Sequence, residues 1–357
     1  MSLLFHEPFD GYGTTSAFYL TKVGMSTNGN SLTRNYAGIT GRPSGSIFFA
    51  HDQYSNTDFH AQFSNTHRET ITYVAVYIPG GAPYLRFWNN TSQGLMNIRF
   101  TSTQILVDNN VTTVFSSSAA IPFNAWNFLE IRSVISTTNL TSGSVQIKNN
   151  GNLLFSASNI NTNGNNIANA AVGAFGHDTD GNVILVDDIL ILNTTGSTFN
   201  GPIGTGNFFM TSFVPSSSGF YTDMTSSGAT TDANAINERP PNNDTSYLIA
   251  TSSGTFPLRE TFTLQPANTT SSFTVIPSNS VIEAVIKNSR VRATVVEVSG
   301  LNHLLRVNGA DYTGSVPISA SMTYNQFIDT WQLNPNTGNK FLPSEITSLE
   351  VGFRRDS

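Results

Sequence analysis

The sequence predicts an all-β protein built as two antiparallel β-sandwich domains. Three observations carry this. Ser, Thr and Asn together supply 123 of 357 residues and charged residues only 11%, against about 25% charged in an average domain. Coiled coils and helical bundles draw on Glu, Lys, Leu and Ala instead. Short alternating apolar runs recur between Gly, Asn and Pro turn signals, and no segment up to about residue 200 has a helical period. The 25 Phe, 11 Tyr and 3 Trp provide bulk for true cores, which argues against disorder.

Taken in order, residues 3–9 (LLFHEPF) start a strand and Asp10-Gly11-Tyr12-Gly13 turns the chain. Residues 46–50 and 58–64 are short strands, and 70–78 (TITYVAVYI) alternates strongly. Strands follow at 84–88, 95–100, 104–108 and 111–116, with a hairpin at Asn109-Asn110. FLEIRSVI (128–135) pairs with SGSVQIKNNGNLLFSAS (142–158), itself a hairpin about Asn149-Asn150-Gly151-Asn152. Residues 171–176 and 183–192 read as a pair across His177–Asn182. The Gly, Thr and Asn rich stretch 193–206 marks the domain boundary, giving domains 1–200 and 201–357.

The second domain opens with a strand at 207–215, then a polar loop with a helical turn near Asp232–Ile236. Strands are expected at 246–250 and 257–264, and two more within 280–298. Residues 301–309 should pair back across Ser299-Gly300. Strands at 322–333 and 349–355 close the chain, with a turn at Asn334–Gly338 and a helical turn N-capped by Ser344.

Net charge is −6, without a basic face, so nucleic-acid binding is not expected. The absence of cysteine excludes disulfide scaffolds and thiolate metal sites. No apolar run is long enough to span a membrane, and the N-terminus lacks the pattern of a signal peptide.

Phe9-Asp10, Trp126–Ile131 (WNFLEI), GSVQIKNNGNLLF (143–155) and VDDILILN (186–193) occur in the order of a concanavalin A-like domain of laminin-G or pentraxin type. The first domain resembles that jelly roll. The whole chain resembles two-domain virion proteins of tailed bacteriophages, on Asn200-Gly201-Pro202-Ile203-Gly204, on Glu238–Tyr247, and on Asn334–Gly338 leading into Ser344-Glu345-Ile346. Phe341 departs from that pattern, where Trp is commoner. The resemblance implies a structural protein exposed on the particle, as capsid decoration, neck, tail or baseplate. Its partners would be other virion proteins and further copies of itself, as a homo-oligomer or on a lattice. Assembly would take place in the host cytoplasm.

Jelly rolls of this type also host glycoside hydrolases, which need two carboxylates in one cleft. No such pair is spaced along one strand here. Glu130 stands alone, and the adjacent Asp187 and Asp188 should face opposite sides of their strand. No G-x-S-x-G elbow, P-loop or paired histidine ligand spacing occurs. The protein is therefore read as non-enzymatic and without a cofactor. Asp178, Asp180 and Asn182 around Gly181 are calcium candidates, but an Asp/Gly hairpin turn is the preferred reading. Tyr84, Trp88, Asn89 and Asn90, at a strand end, are the carbohydrate-binding candidates. They support the alternative function, a module that recognises host surface glycan.

Overall fold

The computed structural model describes residues 2–7, 25–28, 58–89, 91, 93–137, 141–177, 182, 184–195, 210–237, 245–251, 255–266, 276–294 and 298–357. The chain divides into two compact units, Met1–Thr211 and Ser212–Ser357. Both are all-β and antiparallel, and the described residues contain one helix of a single turn.

The first unit contributes β1 (Ser2–Glu7), β2 (Met25–Asn28), β3 (Asp58–His67), β4 (Glu69–Tyr77), β5 (Tyr84–Trp88), β6 (Gly94–Phe100) and β7 (Ile105–Asp108). It continues with β8 (Thr113–Ser117), β9 (Trp126–Val134), β10 (Gly143–Asn149), β11 (Asn152–Ile160), β12 (Val172–His177) and β13 (Leu185–Asn193). One sheet runs β1-β13-β4-β9-β10-β11 and the other β2-β3-β12-β5-β6-β7-β8. Alternation decides which side chains meet between them. Val74 and Val76 of β4, Leu85 and Phe87 of β5 and Ile98 and Phe100 of β6 are fully buried in one cluster. Phe87 and Phe175 meet with ring centroids 5.1 Å apart. Each such side chain contributes about 1.5–3 kcal/mol by leaving water.

Turn chemistry sets the register. Asn150 and Gly151 take φ of 49° and 81°, the two left-handed residues that a two-residue hairpin needs, and β10 pairs with β11 across them. Asn110 (φ 70°) lies between β7 and β8, as its sequence implies.

Two expectations for this unit are corrected. β12 and β13 are not a hairpin, because β12 pairs with β3 and β5 in one sheet while β13 pairs with β1 and β4 in the other. Regular alternation is also interrupted at Asp187 and Asp188. Both are fully buried, Asp188 has φ 51°, and the register slips between Asp187 and Leu190. A bulge of this kind re-aims neighbouring side chains. The strand expected at 46–50 lies outside the described residues.

The second unit contributes β14 (Phe213–Thr222), β15 (Thr225–Ser227), β16 (Tyr247–Ile249), β17 (Leu258–Pro266), β18 (Val285–Val291) and β19 (Val298–Val307). After these come β20 (Ala310–Thr313), β21 (Ile318–Ala320), β22 (Asn325–Trp331), α1 (Pro343–Ile346) and β23 (Glu350–Arg355). The main sheet runs β14-β17-β23-β19-β20, with β21 also on β19, and β15-β16 and β18-β22 form two-stranded sheets. Ser299-Gly300 is not a turn but lies inside β19, where Gly300 (φ 79°) accompanies a register shift. The hairpin forms instead at Asn308-Gly309, with φ of 51° and 81°. The N-cap position of α1 belongs to Leu342, not Ser344, because Pro343 occupies the first helical position. Glu345 Oε2 accepts the Leu342 N–H at 2.8 Å.

Candidate functional site

In β5, Leu85 and Phe87 enter the core, so Tyr84, Arg86 and Trp88 face the other side of the seven-stranded sheet. The same logic puts Asn97 and Arg99 of β6 on that side, because Ile98 and Phe100 are core residues. On β7, Ile105 and Val107 are core and Asp108 is not. Register aligns these polar residues: Arg86 opposes Asn97, Asn97 opposes Asp108, and Asp108 opposes Thr113. One polar lane therefore crosses four strands.

The lane is held together internally. Arg86 Nε donates to Asn97 Oδ1 at 2.7 Å. Arg99 is ion-paired to Asp108 Oδ2 at 2.5 Å, and Thr113 Oγ1 donates to Asp108 Oδ1 at 2.6 Å. The Arg86 guanidinium lies 4.9 Å from the Tyr84 ring centroid and 5.8 Å from that of Trp88, within cation–π range. On the flank, β12 brings Ala174 opposite Trp88 and Gly176 opposite Arg86.

The residues singled out from sequence divide by position. Tyr84 is half-buried beside Arg86. Trp88 is only 4% exposed. Asn89 uses its side chain locally, with Oδ1 accepting the N–H groups of Thr91 and Gln93 at 3.0 and 2.8 Å. That is the Asx geometry of a turn. Asn90, Asp178 and Asp180 lie outside the described residues. Asn182 Oδ1 accepts the Ala82 N–H at 3.0 Å. No group of three His, Asp or Glu able to hold a metal occurs among the described residues. Glu130 is ion-paired to Lys148 at 2.7 Å, on neighbouring strands in direct register.

Arg86, Asn97, Asp108 and Thr113 were not singled out from sequence. The signal was there, since each of these runs carries a polar residue out of phase with its apolar ones. Aligning them needs the hairpin registers.

No family model matches the sequence, and no curated protein matches it. Solved structures that resemble it include alginate lyase Aly36B, 12% identical with a TM-score of 0.35, covering 54% of this chain and 98% of that one. An endo-beta-1,4-glucuronan lyase from the fungus Trichoderma reesei is 10% identical with a TM-score of 0.33, covering 54% of this chain and 96% of that one. The carbohydrate binding module CBM66 from Bacillus subtilis is 12% identical with a TM-score of 0.26, covering 47% and 91%. The similar structures thus include carbohydrate-binding modules and lyases. At that level the similarity has no bearing on activity.

Proposed function

We propose that the first unit is a glycan-binding module that reads saccharide with the lane-bearing face of its seven-stranded sheet. The supporting observation is the register-aligned lane Arg86–Asn97–Asp108–Thr113 beside Tyr84. Neighbouring strands lie about 4.8 Å apart, comparable with the length of one pyranose residue. A saccharide laid across the strands would meet the partly exposed Tyr84, Arg86 and Arg99 and the exposed Thr113, which the buried Asn97 and Asp108 hold in place. The test is a glycan array followed by calorimetry on any hit. Arg86→Ala should weaken binding at least about tenfold, the usual worth of a charged hydrogen bond. An array without saturable binding overturns the reading.

A second reading, docking on a virus particle through the second unit, is favoured by a different observation. Val281 and Leu342 are 69% and 59% exposed and flank the Ile282–Phe341 bridge. Exposed apolar side chains of this size suit a buried protein contact. Particle attachment that survives deletion of residues 212–357 would rule this out.

A further inference from the structure

We propose that Ser289 of the second unit is an activated nucleophile toward small carboxylic esters, with His303 as its base and Asp329 as the residue that positions His303. Ser289 Oγ lies 2.6 Å from His303 Nε2, and His303 Nδ1 lies 2.7 Å from Asp329 Oδ2. This is a nucleophile, a base and an orienting carboxylate in series.

The three side chains come from three strands. Lys287 and Ser289 share one face of β18, and Asp329 opposes Lys287 on β22. His303 comes from β19 in the other sheet, opposite Phe353 of β23. The hydrogen bonds fix the tautomer. Asp329 acts only as an acceptor, since Oδ1 takes the Val316 N–H at 3.1 Å and the Ser315 O–H at 3.3 Å. Its Oδ2 therefore receives the Nδ1–H of His303. Nε2 is left as the acceptor for the Ser289 hydroxyl, as a general base requires. Gly314 secures the fit, because a Cβ there would lie 2.1 Å from Asp329 Oδ2.

His303 and Asp329 are sealed from water, at 0% and 1% exposed, and Ser289 is partly exposed. Burial lowers the imidazole to about 4. The hydrogen bond to Asp329 pulls it back up, Lys287 lowers it further, and the Asp329 charge raises it. Among the described residues, Lys287 is the other titratable group acting on the cluster. Its Nζ donates to Gly352 O and sits 3.9 Å from the Phe353 ring centroid. Burial depresses it well below the usual lysine range, against the pull of Asp329. His303 is thus in its base form at neutral pH.

β18 has one partner, β22, among the described strands. Every second main-chain N–H along it points away from that partner. In the reaction Ser289 Oγ bonds to the carbonyl carbon as its proton passes to His303 Nε2. The carbon–alkoxide bond then breaks, and the leaving oxygen takes that proton. Water repeats the steps on the acyl-serine, releasing the carboxylic acid and restoring Ser289.

The experiment is fluorophosphonate labelling of the full chain, read by intact mass and peptide mapping. Phosphorus bonds to Oγ as fluoride leaves. The expected result is one adduct, on the peptide carrying Ser289, absent in Ser289→Ala at an unchanged melting temperature. The labelling rate should be flat from about pH 8 to about pH 6 and fall as His303 protonates toward about pH 4. Asp329→Asn should slow it, and Asp329→Glu should restore part of it. An unlabelled wild type, or an adduct on another serine, overturns the proposal and leaves the cluster as a polar clasp between two sheets. A rate that follows only the probe's own hydrolysis with pH overturns the base assignment.

Discussion

Replacing Glu260 by Gln should remove a pH dependence of stability from the second unit. Glu260 lies on β17 with no exposed surface. Its Oε2 accepts the Met224 N–H at 3.1 Å, and its Oε1 has no partner among the described residues. Burial raises the carboxyl from 4.5 to about 7; the Met224 hydrogen bond opposes this, and the charges of Asp232 and Asp223 reinforce it. An acid raised in the folded state ionises more readily when unfolded. Its contribution is therefore complete below about 4.5 and is lost as pH rises through about 7. At about 1.36 kcal/mol per pH unit, the full displacement is worth about 3 kcal/mol. Relaxation and water penetration around the ionised group reduce this to about 2 kcal/mol. Gln keeps the acceptor for Met224 and is neutral at every pH. Hydrogen exchange in peptides covering β17 and β23 reads this unit alone. The wild-type-minus-variant difference cancels the pH dependence of intrinsic exchange. The wild type should match the variant near pH 4 and fall about 2 kcal/mol below it near pH 8. A constant difference, or a wild type gaining on the variant at the higher pH, would refute the reasoning.

Two further substitutions test the packing. Gly352→Ala would place a Cβ 1.7 Å from the Glu260 carbonyl oxygen and 2.8 Å from Thr261 Cα. Both are backbone atoms of the paired strand β17, so a loss of about 3 kcal/mol is expected in urea unfolding; a variant as stable as wild type would show that β17 and β23 are not in this register. Thr162→Val in the first unit removes an oxygen that accepts the Ser136 N–H at 2.7 Å and donates to Val134 O at 3.1 Å. Thr162 is fully buried, so about 1–3 kcal/mol should be lost, and a change under about 0.5 kcal/mol would mean that water replaces it.

What could be read from sequence was local. The Asn150-Gly151 hairpin follows from two residues that tolerate positive φ, and strands such as 70–78 follow from alternation within a few residues. The same local rule misled at Asp187-Asp188, where a bulge interrupts the alternation, and at Ser299-Gly300, where a glycine inside β19 looked like a turn. The candidate sites sit at two further levels. The lane from Arg86 to Thr113 needs the register of three successive hairpins, each simple alone, before four scattered polar residues become a row. The Ser289–His303–Asp329 array needs more than register. Its members are 14 and 26 residues apart, and no motif links them. On β18 alone, Lys287 and Ser289 look like polar side chains of an ordinary alternating strand. The β19 sheet packs against that face and brings His303 onto it, removing water from Lys287, His303 and Asp329 together. Burial then turns common surface residue types into a depressed imidazole, a depressed amine and an oriented hydroxyl. The arrangement of this cluster arises from sheet stacking, which no single stretch of the chain encodes.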